Sequence, residues 1–372
     1  MSESFNASNE RIEEICREFR VSGELVDVTI ITQGHINTTF RVTFENDGYR
    51  KSYLLQRVNT YVFKSPMQIM SNINLVTSHI RNKNHGVDKV NVHFHHRKNG
   101  DNYYYDADGE FWRMSNYIDS ISFDLCNDRR ILRGAGYAFG EFQTNLVDFD
   151  ATTLYETIPD FHNTPKRLEK FFAAVEKDEY GRANEVEAEI EFTRKHAATA
   201  SKLMAMKDAG ELPLRVTHND TKSNNVLFDR DSGNPITVID LDTVMPGLVA
   251  FDFGDAIRSA GNSAAEDEPD VSRVHLDLDK FTAFAEGFIE ATAGYLTEKE
   301  IETLPLGAFT LTFEQAVRFL DDYLTGDKYF RTEYEGHNLV RARCQYKLAS
   351  DILAKMEDMQ KIVSDIAKKV LS

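Results

Sequence analysis

The chain has 372 residues, 41% of them hydrophobic, and a formal net charge of −17 at pH 7. A globular chain of this length suits two lobes better than a single core. The acidic balance argues against a nucleic-acid partner, because such proteins usually present a basic face. It also requires that any site for an anionic ligand be locally basic or loaded with metal ions.

The number and spacing of the cysteines and the hydropathy of the chain indicate the cellular compartment. Cys16, Cys126 and Cys344 are odd in number, far apart and outside any C-x-x-C pair, so free thiols in a reducing cytosol are expected. The first residues lack the basic segment and apolar core of a signal peptide. No stretch approaches the roughly 18 apolar residues of a membrane span. We therefore expect a cytoplasmic protein with no membrane partner, as a monomer or a small homo-oligomer.

The first third of the chain is predicted to be mainly β. Residues 10–19 have the apolar spacing of a short helix, and Pro66 opens a second helix over 66–81. Asn-Gly and Asp-Gly pairs predict tight turns between later strands. Runs of alternating or β-branched residues predict strands over 26–32, 39–44, 53–58, 90–95, 103–106 and 111–114.

The remainder of the chain is predicted to be mainly helical. Small residues in its first helix, among them Gly136 and Gly140, are expected to permit close helix packing. A loop with two prolines is predicted over 154–167, and an acidic irregular segment over 262–277. Apolar residues at helical spacing predict helices over 129–146, 183–206, 278–294, 309–324 and 337–372.

The strongest chemical signal lies in residues 214–255. The polar turn HND at 218–220 follows a short apolar run, and Asn225 comes five residues after the Asp. Turn formers followed by an apolar run predict a tight hairpin over 226–239, which ends at Asp240. The result is a polar loop, a hairpin and an acidic residue where the second strand stops.

This arrangement suits phosphoryl transfer, which needs an oriented acceptor hydroxyl and cations that neutralise a triphosphate. Asp220 is the candidate to accept the proton of the hydroxyl. Asn225 and Asp240 are candidate ligands of Mg²⁺, which prefers a few oxygen ligands and keeps waters. If the strand pairing continues, Asp242 faces the same side as Asp240 and is a second metal ligand or a substrate contact. The motif FDFGD at 251–255 adds further carboxylates with a buried character.

These motifs resemble the aminoglycoside phosphotransferase and choline kinase superfamily, and within it the N-acetylhexosamine 1-kinases. The resemblance implies a two-lobed, protein-kinase-like α/β (α+β) fold. Its N-lobe, residues 1–118, would be mainly β and bind nucleotide. Its C-lobe, residues 119–372, would be mainly helical and carry the catalytic loop and the sugar site. The residues that carry the resemblance are GHINTTF at 34–40, LLQRVN at 54–59, ETIPDFHNTPKR at 156–167, HNDTKSNN at 218–225, DLDTVMPG at 240–247 and VRFLDDYLTGDKYF at 317–330.

The resemblance implies roles for several N-lobe residues in binding ATP. Gly34 lies in a hairpin that would allow close backbone approach to the phosphates. Arg57 stands where the protein-kinase pattern has a phosphate-binding Lys. The helix that follows contains no Glu, so the usual Lys–Glu pair is not expected here. The backbone from Met114 onward would bind adenine as a hinge, with Tyr117 near the base.

The same resemblance implies an acceptor site and a reaction. His35, His162, Arg318 and Tyr329 would contact the sugar beside Asp220. The acceptor would be the anomeric hydroxyl of N-acetylglucosamine or N-acetylgalactosamine, and the product the sugar 1-phosphate. An anomeric hydroxyl is more acidic than an ordinary alcohol, which lightens the work of the base.

Several alternatives stay open. His162 equally suits a structural role, and Arg318 could be a helix-surface residue paired with Glu314 four positions earlier. A kinase of the same fold could act on another sugar, an amino alcohol or an antibiotic. A protein kinase is a weaker alternative, because the chain has neither an H-R-D triplet nor an A-P-E motif. A non-catalytic nucleotide-binding module would be expected to have lost one of Asp220, Asn225 and Asp240.

Overall fold

The coordinates are a computed structural model that describes residues 9–32, 36–84, 89–123 and 126–371. Gly34 and His35 lie outside the described residues. The chain divides into two units, Met1–Ser120 and Ile121–Ser372. Across the four described ranges, every helix is too short or too polar to cross a lipid bilayer.

An antiparallel sheet of five strands forms the centre of the first unit, in the order β1-β2-β3-β5-β4. Helix α1 spans Asn9–Glu18 and α2 spans Pro66–Lys83, with its proline in the first turn. A proline there costs no hydrogen bond, because the first turn lacks intrahelical acceptors. The strands are β1 (Glu24–Ile31), β2 (Thr38–Asn46), β3 (Tyr49–Val58), β4 (Tyr104–Tyr105) and β5 (Phe111–Asn116).

The alternation of side chains gives this sheet two faces of different character. One face packs against α1 and is apolar, because every second residue of β2, β3 and β5 contributes to a single buried cluster. The opposite face carries polar pairs, such as Thr43 with Ser52 at 2.9 Å and Gln56 with Thr39 at 3.1 Å. The sheet residues of the apolar cluster are Phe40, Val42, Phe44, Tyr53, Leu55, Trp112 and Met114.

The strand predicted over 90–95 is wrong. Phe94 forms only an isolated bridge to Ser115, flanked by backbone bonds from His95 N to Met114 O at 2.8 Å and from Asn116 N to His93 O at 3.0 Å. β4 and the segment around Phe94 both pair with the same edge of β5, and β4 takes the first two residues of that strand. Each segment therefore has only a few residues of β5 to pair with, which is too few for a long strand.

The second unit is mainly helical around α7, α8 and α10. Phe253 of α7 contacts the rings of Phe281, Phe284 and Phe288 of α8 at centroid distances of 5.3–5.8 Å. The longer helices are α3 (Arg129–Asn145), α4 (Thr164–Lys177), α5 (Glu187–Ala200), α6 (Lys202–Asp208), α7 (Val249–Ala260), α8 (Leu278–Thr292), α10 (Leu304–Leu324), α11 (His337–Ala354) and α12 (Met356–Leu371), with the short α9 at Glu298–Glu302.

The close packing expected of α3 is confirmed. A β-carbon added at Gly140 would lie 2.6 Å from the Phe288 carbonyl oxygen of α8, and one at Gly136 would overlap the Phe284 carbonyl. Only glycine allows the two helix backbones to approach this closely.

Two helices predicted as continuous are interrupted. The helix expected over 183–206 is a 3₁₀ turn, then α5, then α6, with a break at Ser201. The Ser201 hydroxyl donates to Ala197 O at 2.8 Å, a local bond that competes with helix continuation. The helix expected over 337–372 breaks at Lys355, whose ammonium donates to Leu276 O at 2.7 Å.

Candidate active site

The loop with the HND motif lies between two short pairs of strands. Strand β6 (Arg215–Thr217) pairs with β9 (Met245–Gly247), and the predicted hairpin is present as β7 (Val226–Phe228) and β8 (Pro235–Val238). The Thr217 hydroxyl donates to Met245 O at 3.0 Å. A β-carbon at Gly247 would overlap this side chain, so glycine is required beside Thr217.

A buried carboxylate on α7 anchors the loop. Asp252 Oδ2 accepts from His218 N at 2.8 Å and from Gln143 Nε2 at 2.7 Å, and its Oδ1 accepts from Asn219 N at 2.8 Å. Burial raises the pKa of Asp252, while the two backbone donors act to lower it. Asn219 adopts a left-handed conformation with φ of 63°, which Asn tolerates better than most residues. The anchor thus fixes the backbone on both sides of this turn.

A second α7 carboxylate holds the next residue of the loop. Asp255 Oδ2 accepts from Thr221 N at 2.9 Å, and its Oδ1 pairs with Arg258 at 2.9 Å. Burial alone would raise the pKa of Asp255, but the charges of Arg258 and Lys222 hold it below its ordinary value. The sequence analysis noted both carboxylates but did not predict that they anchor the loop. The signal for this role was that the two residues are three positions apart, which places both on one helix face.

The His218 ring connects the loop to the hairpin. Its Nε2–H donates to Ile239 O at 2.8 Å, while its Nδ1 accepts from Asp220 N at 3.3 Å. The side chain is fully buried between the ring edges of Phe139 and Phe142. His218 therefore fixes the position of Asp220 relative to the strand that leads to Asp240.

Asp220 and Asn225, for which the sequence predicted separate roles in one loop, lie in contact. Asn225 Nδ2 donates to Asp220 O at 2.8 Å and to Asp220 Oδ2 at 3.1 Å. The amide oxygen of Asn225, the atom able to bind a cation, therefore lies on the other side of the amide group. Lys222 Nζ lies 3.2 Å from Asp220 Oδ1, and the charge of Asp220 raises the pKa of Lys222. Sequence reasoning missed Lys222, although it is only two residues from the candidate base.

Asp240 and Asp242 differ in exposure. Strand β8 ends at Val238, and Asp240 adopts a left-handed conformation with φ of 60° before a 3₁₀ turn at Leu241–Thr243. The premise that strand pairing continues to Asp242 is therefore wrong. Asp240 is exposed, whereas Asp242 is 3% exposed.

The donor set around this turn fits Mg²⁺. No cluster of three His, Cys, Asp or Glu side chains forms a cation cage within the described ranges. Mg²⁺ does not need such a cage, because it keeps waters and substrate oxygens as ligands and takes one or two carboxylates from the protein. An exposed carboxylate at Asp240 and an oriented amide at Asn225 are donors of the required kind.

A cavity of about 240 Å³ opens beside the catalytic loop. Its walls come from residues 156–163, from α6, and from β9 with the start of α7, and Asn219 of the loop also lines it. Ligand pockets for larger organic molecules are usually about 300–1,000 Å³. The volume therefore suits a small ligand or one substituent of a larger ligand.

His162 lines this cavity and is held by the buried carboxylate of Glu314. Its Nδ1 lies 3.0 Å from Glu314 Oε1, and Thr164 Oγ1 donates to the other carboxylate oxygen at 3.0 Å. Burial alone would raise the pKa of Glu314, but the charges of His162 and Arg167 lower it, which keeps the carboxylate ionised. The sequence placed His162 near the site but could not supply a partner 152 residues away.

Arg318 and Tyr329 lie together, and Arg318 lies over the ring of Phe161, which lines the cavity. Arg318 donates to Gln315 Oε1 at 3.0 Å, and its guanidinium lies 5.7 Å from the Phe161 ring centroid. Burial lowers the pKa of Arg318, whereas a side-chain hydrogen bond with Tyr329 acts in the opposite direction. Glu314, the alternative partner of Arg318, is engaged by His162, Thr164 and Arg167.

A buried carboxylate fixes the segment that presents Tyr329. Asp322 accepts from the backbone N–H groups of Lys328, Tyr329 and Phe330 at 2.8–2.9 Å, and from Asn338 Nδ2 at 2.9 Å. The Tyr329 side chain itself is 73% exposed. A rigid backbone therefore carries an accessible aromatic ring beside Arg318.

In the first unit, Arg57 lies on the sheet face that packs against α1. It shares that face with Leu55, and its guanidinium lies 3.5 Å from Glu110 Oε1. The neighbouring Gln56 points to the opposite face and accepts from Arg113 Nε at 3.0 Å. Arg113 is 2% exposed and contacts Met70 of α2. The phosphate role of Arg57 stays a prediction, and Arg113 is a second cation that the sequence did not single out.

The residues of the predicted hinge lie at the end of β5 and directly after it. Strand β5 continues to Asn116, the Met114 side chain is fully buried, and its carbonyl oxygen accepts from His95 N at 2.8 Å. Tyr117 follows the strand, and the Arg41 guanidinium lies 5.7 Å from its ring centroid. Met114 therefore lies within the sheet and takes part through its backbone, and its role in binding nucleotide stays a prediction.

The sheet unit, the helical unit and the anchored HND loop together define a protein-kinase-like fold. Comparison with families agrees, because the model of the phosphotransferase enzyme family matches residues 27–288, well over half of the chain. The protein belongs to that family.

Solved structures support the same fold. An aminoglycoside phosphotransferase from Alicyclobacillus acidocaldarius is 12% identical, with a TM-score of 0.61 and 96% of each chain covered. Choline kinase from Cryptosporidium parvum is 13% identical, with a TM-score of 0.56, covering 98% of this chain and 100% of the other. Plasmodium vivax ethanolamine kinase is 13% identical, with a TM-score of 0.54 and coverage of 86% and 82%. At these identities the likeness shows the fold alone.

Proposed function

We propose that the protein transfers the γ-phosphoryl group of ATP to the anomeric hydroxyl of an N-acetylhexosamine, giving the sugar 1-phosphate and ADP. The observation that carries the phosphotransfer proposal is the anchored loop. Asp252, Asp255 and His218 fix the backbone around Asp220, and Asn225 contacts the Asp220 carboxylate. Such pre-organisation is what a reaction that depends on positioning requires.

In this proposal, Asp220 orients the acceptor hydroxyl and takes up its proton as the hydroxyl oxygen attacks phosphorus. Lys222 keeps a positive charge beside the Asp220 carboxylate. Asn225 and Asp240 would hold Mg²⁺, with Asp242 as a further candidate. When bound, Mg²⁺ neutralises charge on the β- and γ-phosphates. Nucleotide contacts are proposed for Gly34, Arg57, Met114 and Tyr117.

Most of the charged groups at the cavity are already paired within the protein, which supports a neutral acceptor. The Asp160 carboxylate is paired with Lys166 at 2.9 Å, and Glu156 accepts from the Asp160 backbone N–H at 3.0 Å. Lys207, which also lines the cavity, is paired with Asp208 at 3.4 Å. A neutral sugar matches the polar groups, and Arg318 and Tyr329 would bind its hydroxyls.

A panel of acceptors with radiolabelled ATP tests the proposal. N-acetylglucosamine and N-acetylgalactosamine are expected to give labelled sugar phosphate that acid hydrolyses readily, as an anomeric phosphate should. Glucose, galactose, choline, ethanolamine and an aminoglycoside complete the panel, and Asp220→Asn serves as the inactive control. Preferential turnover of an amine would replace the sugar with a cationic acceptor. ATP binding without turnover of any acceptor would favour a non-catalytic module.

A further inference from the structure

We infer that Glu266, in the acidic segment over 262–277, is a positioning residue for the catalytic loop and acts on it through Arg258 and Asp255. This assignment rests on the proposed function and deepens it. It connects the segment between α7 and α8, which the sequence predicted only as an irregular surface loop, to the backbone beside Asp220.

The first support is a buried cation shared between two carboxylates. The Arg258 side chain is 8% exposed. Its Nε donates to Asp255 Oδ1 at 3.0 Å, its Nη2 lies 2.9 Å from the same oxygen, and its Nη1 donates to Glu266 Oε1 at 2.6 Å. Burial alone would lower the pKa of Arg258, but the charges of Asp255 and Glu266 raise it above its ordinary value. One edge of the guanidinium is thus fixed by Asp255 and another by Glu266.

The second support is the alternation of charge along the path to the catalytic loop. Lys222 Nζ lies 3.2 Å from Asp220 Oδ1, and the charge of Asp220, followed by that of Asp255, raises the pKa of Lys222. Attraction between charges is screened less in a buried site than in water, so each member of the path depends on its neighbours. From the candidate base outward, the members of alternating sign are Asp220, Lys222, Asp255, Arg258 and Glu266.

The third support is that Glu266 is held in place although its side chain is 45% exposed. The Cys344 thiol of α11 donates to the carbonyl oxygen of Ala265 at 3.3 Å. His337 Nε2, also on α11, donates to Asp267 Oδ2 at 3.3 Å. Exposed ion pairs usually contribute little, because two mobile side chains must be ordered to form them. Here the residues on both sides of Glu266 are already tied to α11, so less ordering is needed.

The path ends on the backbone next to the candidate base. Asp255 Oδ2 accepts from Thr221 N at 2.9 Å. Without the Glu266 carboxylate, Nη1 of a buried guanidinium loses its acceptor, and an unsatisfied donor of this kind favours rearrangement. A shift of Arg258 changes the position of Asp255 and therefore that of the Thr221 backbone. Because the proposed ATP and acceptor contacts lie on other residues, this shift should lower kcat and leave both KM values unchanged.

Glu266→Gln tests the assignment, because it removes the charge and keeps the size of the side chain. With N-acetylglucosamine as acceptor, it is expected to lower kcat about two- to thirty-fold, as for a residue coupled to a site through intervening contacts. The KM for ATP and for the sugar should stay at the wild-type values. Glu286→Gln is the matched control, because it breaks an Arg–Glu pair of 2.7 Å with Arg129 outside this path.

Amide hydrogen exchange of the catalytic loop gives a readout that does not need turnover. The peptide over 218–225 contains the Thr221 N–H that Asp255 accepts. Glu266→Gln is expected to speed exchange in this peptide and to leave exchange in α8 unchanged, because the loop opens locally. A general loss of stability would instead speed exchange in both, and the control should change neither.

A double-mutant cycle with Arg258→Lys tests the route. Lys keeps the charge but lacks the planar fork that contacts two carboxylates at once. If Glu266 acts through Arg258, adding Glu266→Gln to Arg258→Lys causes no further loss of kcat, whereas additive losses would overturn the route. If Arg258→Lys fails to fold, the single variant and its exchange still decide the question.

The two levels of the proposal fail in different ways. A wild-type kcat, raised KM values or unchanged loop exchange in Glu266→Gln would overturn the positioning role alone. No turnover of any N-acetylhexosamine by the wild type would overturn the proposed function. In that case loop exchange decides the role of Glu266 separately, since faster exchange confined to 218–225 supports it and unchanged exchange overturns it.

Discussion

Replacing Asp252 by Asn tests whether the α7 anchor controls the catalytic loop. The change removes a charge and one acceptor oxygen while keeping the shape of the side chain. In the wild type the two carboxylate oxygens accept three hydrogen bonds of 2.7–2.8 Å, from His218 N, Asn219 N and Gln143 Nε2. Because Asp252 is 1% exposed, water cannot replace a lost bond.

The expected loss of stability follows from the number of hydrogen-bond donors that the substitution leaves without an acceptor. If the single oxygen of the introduced amide keeps the bonds from His218 and Gln143, its NH₂ group faces the N–H of Asn219, and two donors oppose each other. One buried N–H left without an acceptor costs about 1–3 kcal/mol. For a unit of about 250 residues, this corresponds to a fall in Tm of roughly 2–12 °C. The left-handed turn at Asn219 would relax, and a displacement of about 1 Å at Asp220 costs on the order of 10²-fold in kcat.

Thermal unfolding and steady-state turnover of Asp252→Asn provide the measurement. Asp229→Asn is the matched control, because Asp229 also accepts backbone N–H groups, from Asp231 and Ser232, but lies in the exposed hairpin turn. Asn supports such turns as well as Asp does, so the control should be close to wild type. A wild-type Tm and kcat for Asp252→Asn would refute the anchoring role.

Four further predictions concern single residues. Asp220→Asn should keep nucleotide binding but lower kcat by about 10²–10⁴-fold, and near-normal turnover would exclude it as the base. Asp240→Ala should weaken the Mg²⁺ dependence of turnover, so an unchanged magnesium titration would remove it from the metal site. Arg318→Ala should raise the acceptor KM by one to two orders of magnitude, as for a lost charged hydrogen bond of roughly 1.5–3 kcal/mol, whereas equal shifts in the KM of ATP would indicate misfolding. Burial lowers the pKa of His95 from 6.5 to about 4, so the unfolded chain binds more protons between these pH values and stability rises with pH; His95→Phe should flatten Tm against pH in this window, and an unchanged slope would contradict the role of His95.

Local sequence patterns determined the elements and the chemistry of the loop. The hairpin over 226–238, helix α2 and helix α3 were predictable because turn formers, a first-turn proline and apolar periodicity act over a few residues. The Asp220–Asn225 contact was predictable for the same reason, since the two residues are five apart. Motif spacing also indicated the phosphotransferase class that the family match confirms.

The breaks in the two long helices could not be predicted from the periodicity of apolar residues. The apolar spacing continues through Ser201 and Lys355, yet both residues end a helix. At Lys355 the cause is tertiary, because its ammonium donates to Leu276 O, 79 residues away in sequence. A pattern of apolar residues reports which face is buried, but not where a side chain finds a better partner than the next helical turn provides.

The environment of the candidate site was decided only by the tertiary structure. Asp252 accepts a hydrogen bond from His218, 34 residues away in sequence, and Glu314 contacts His162, 152 residues away. Strand register places Gln56, not Arg57, beside Arg113. Each of these contacts depends on how distant segments pack, and no local rule specifies it. The sequence by itself therefore determined which groups carry the chemistry. The fold decided which of them are anchored and which are exposed, because burial and hydrogen-bond partners are properties of the packed chain.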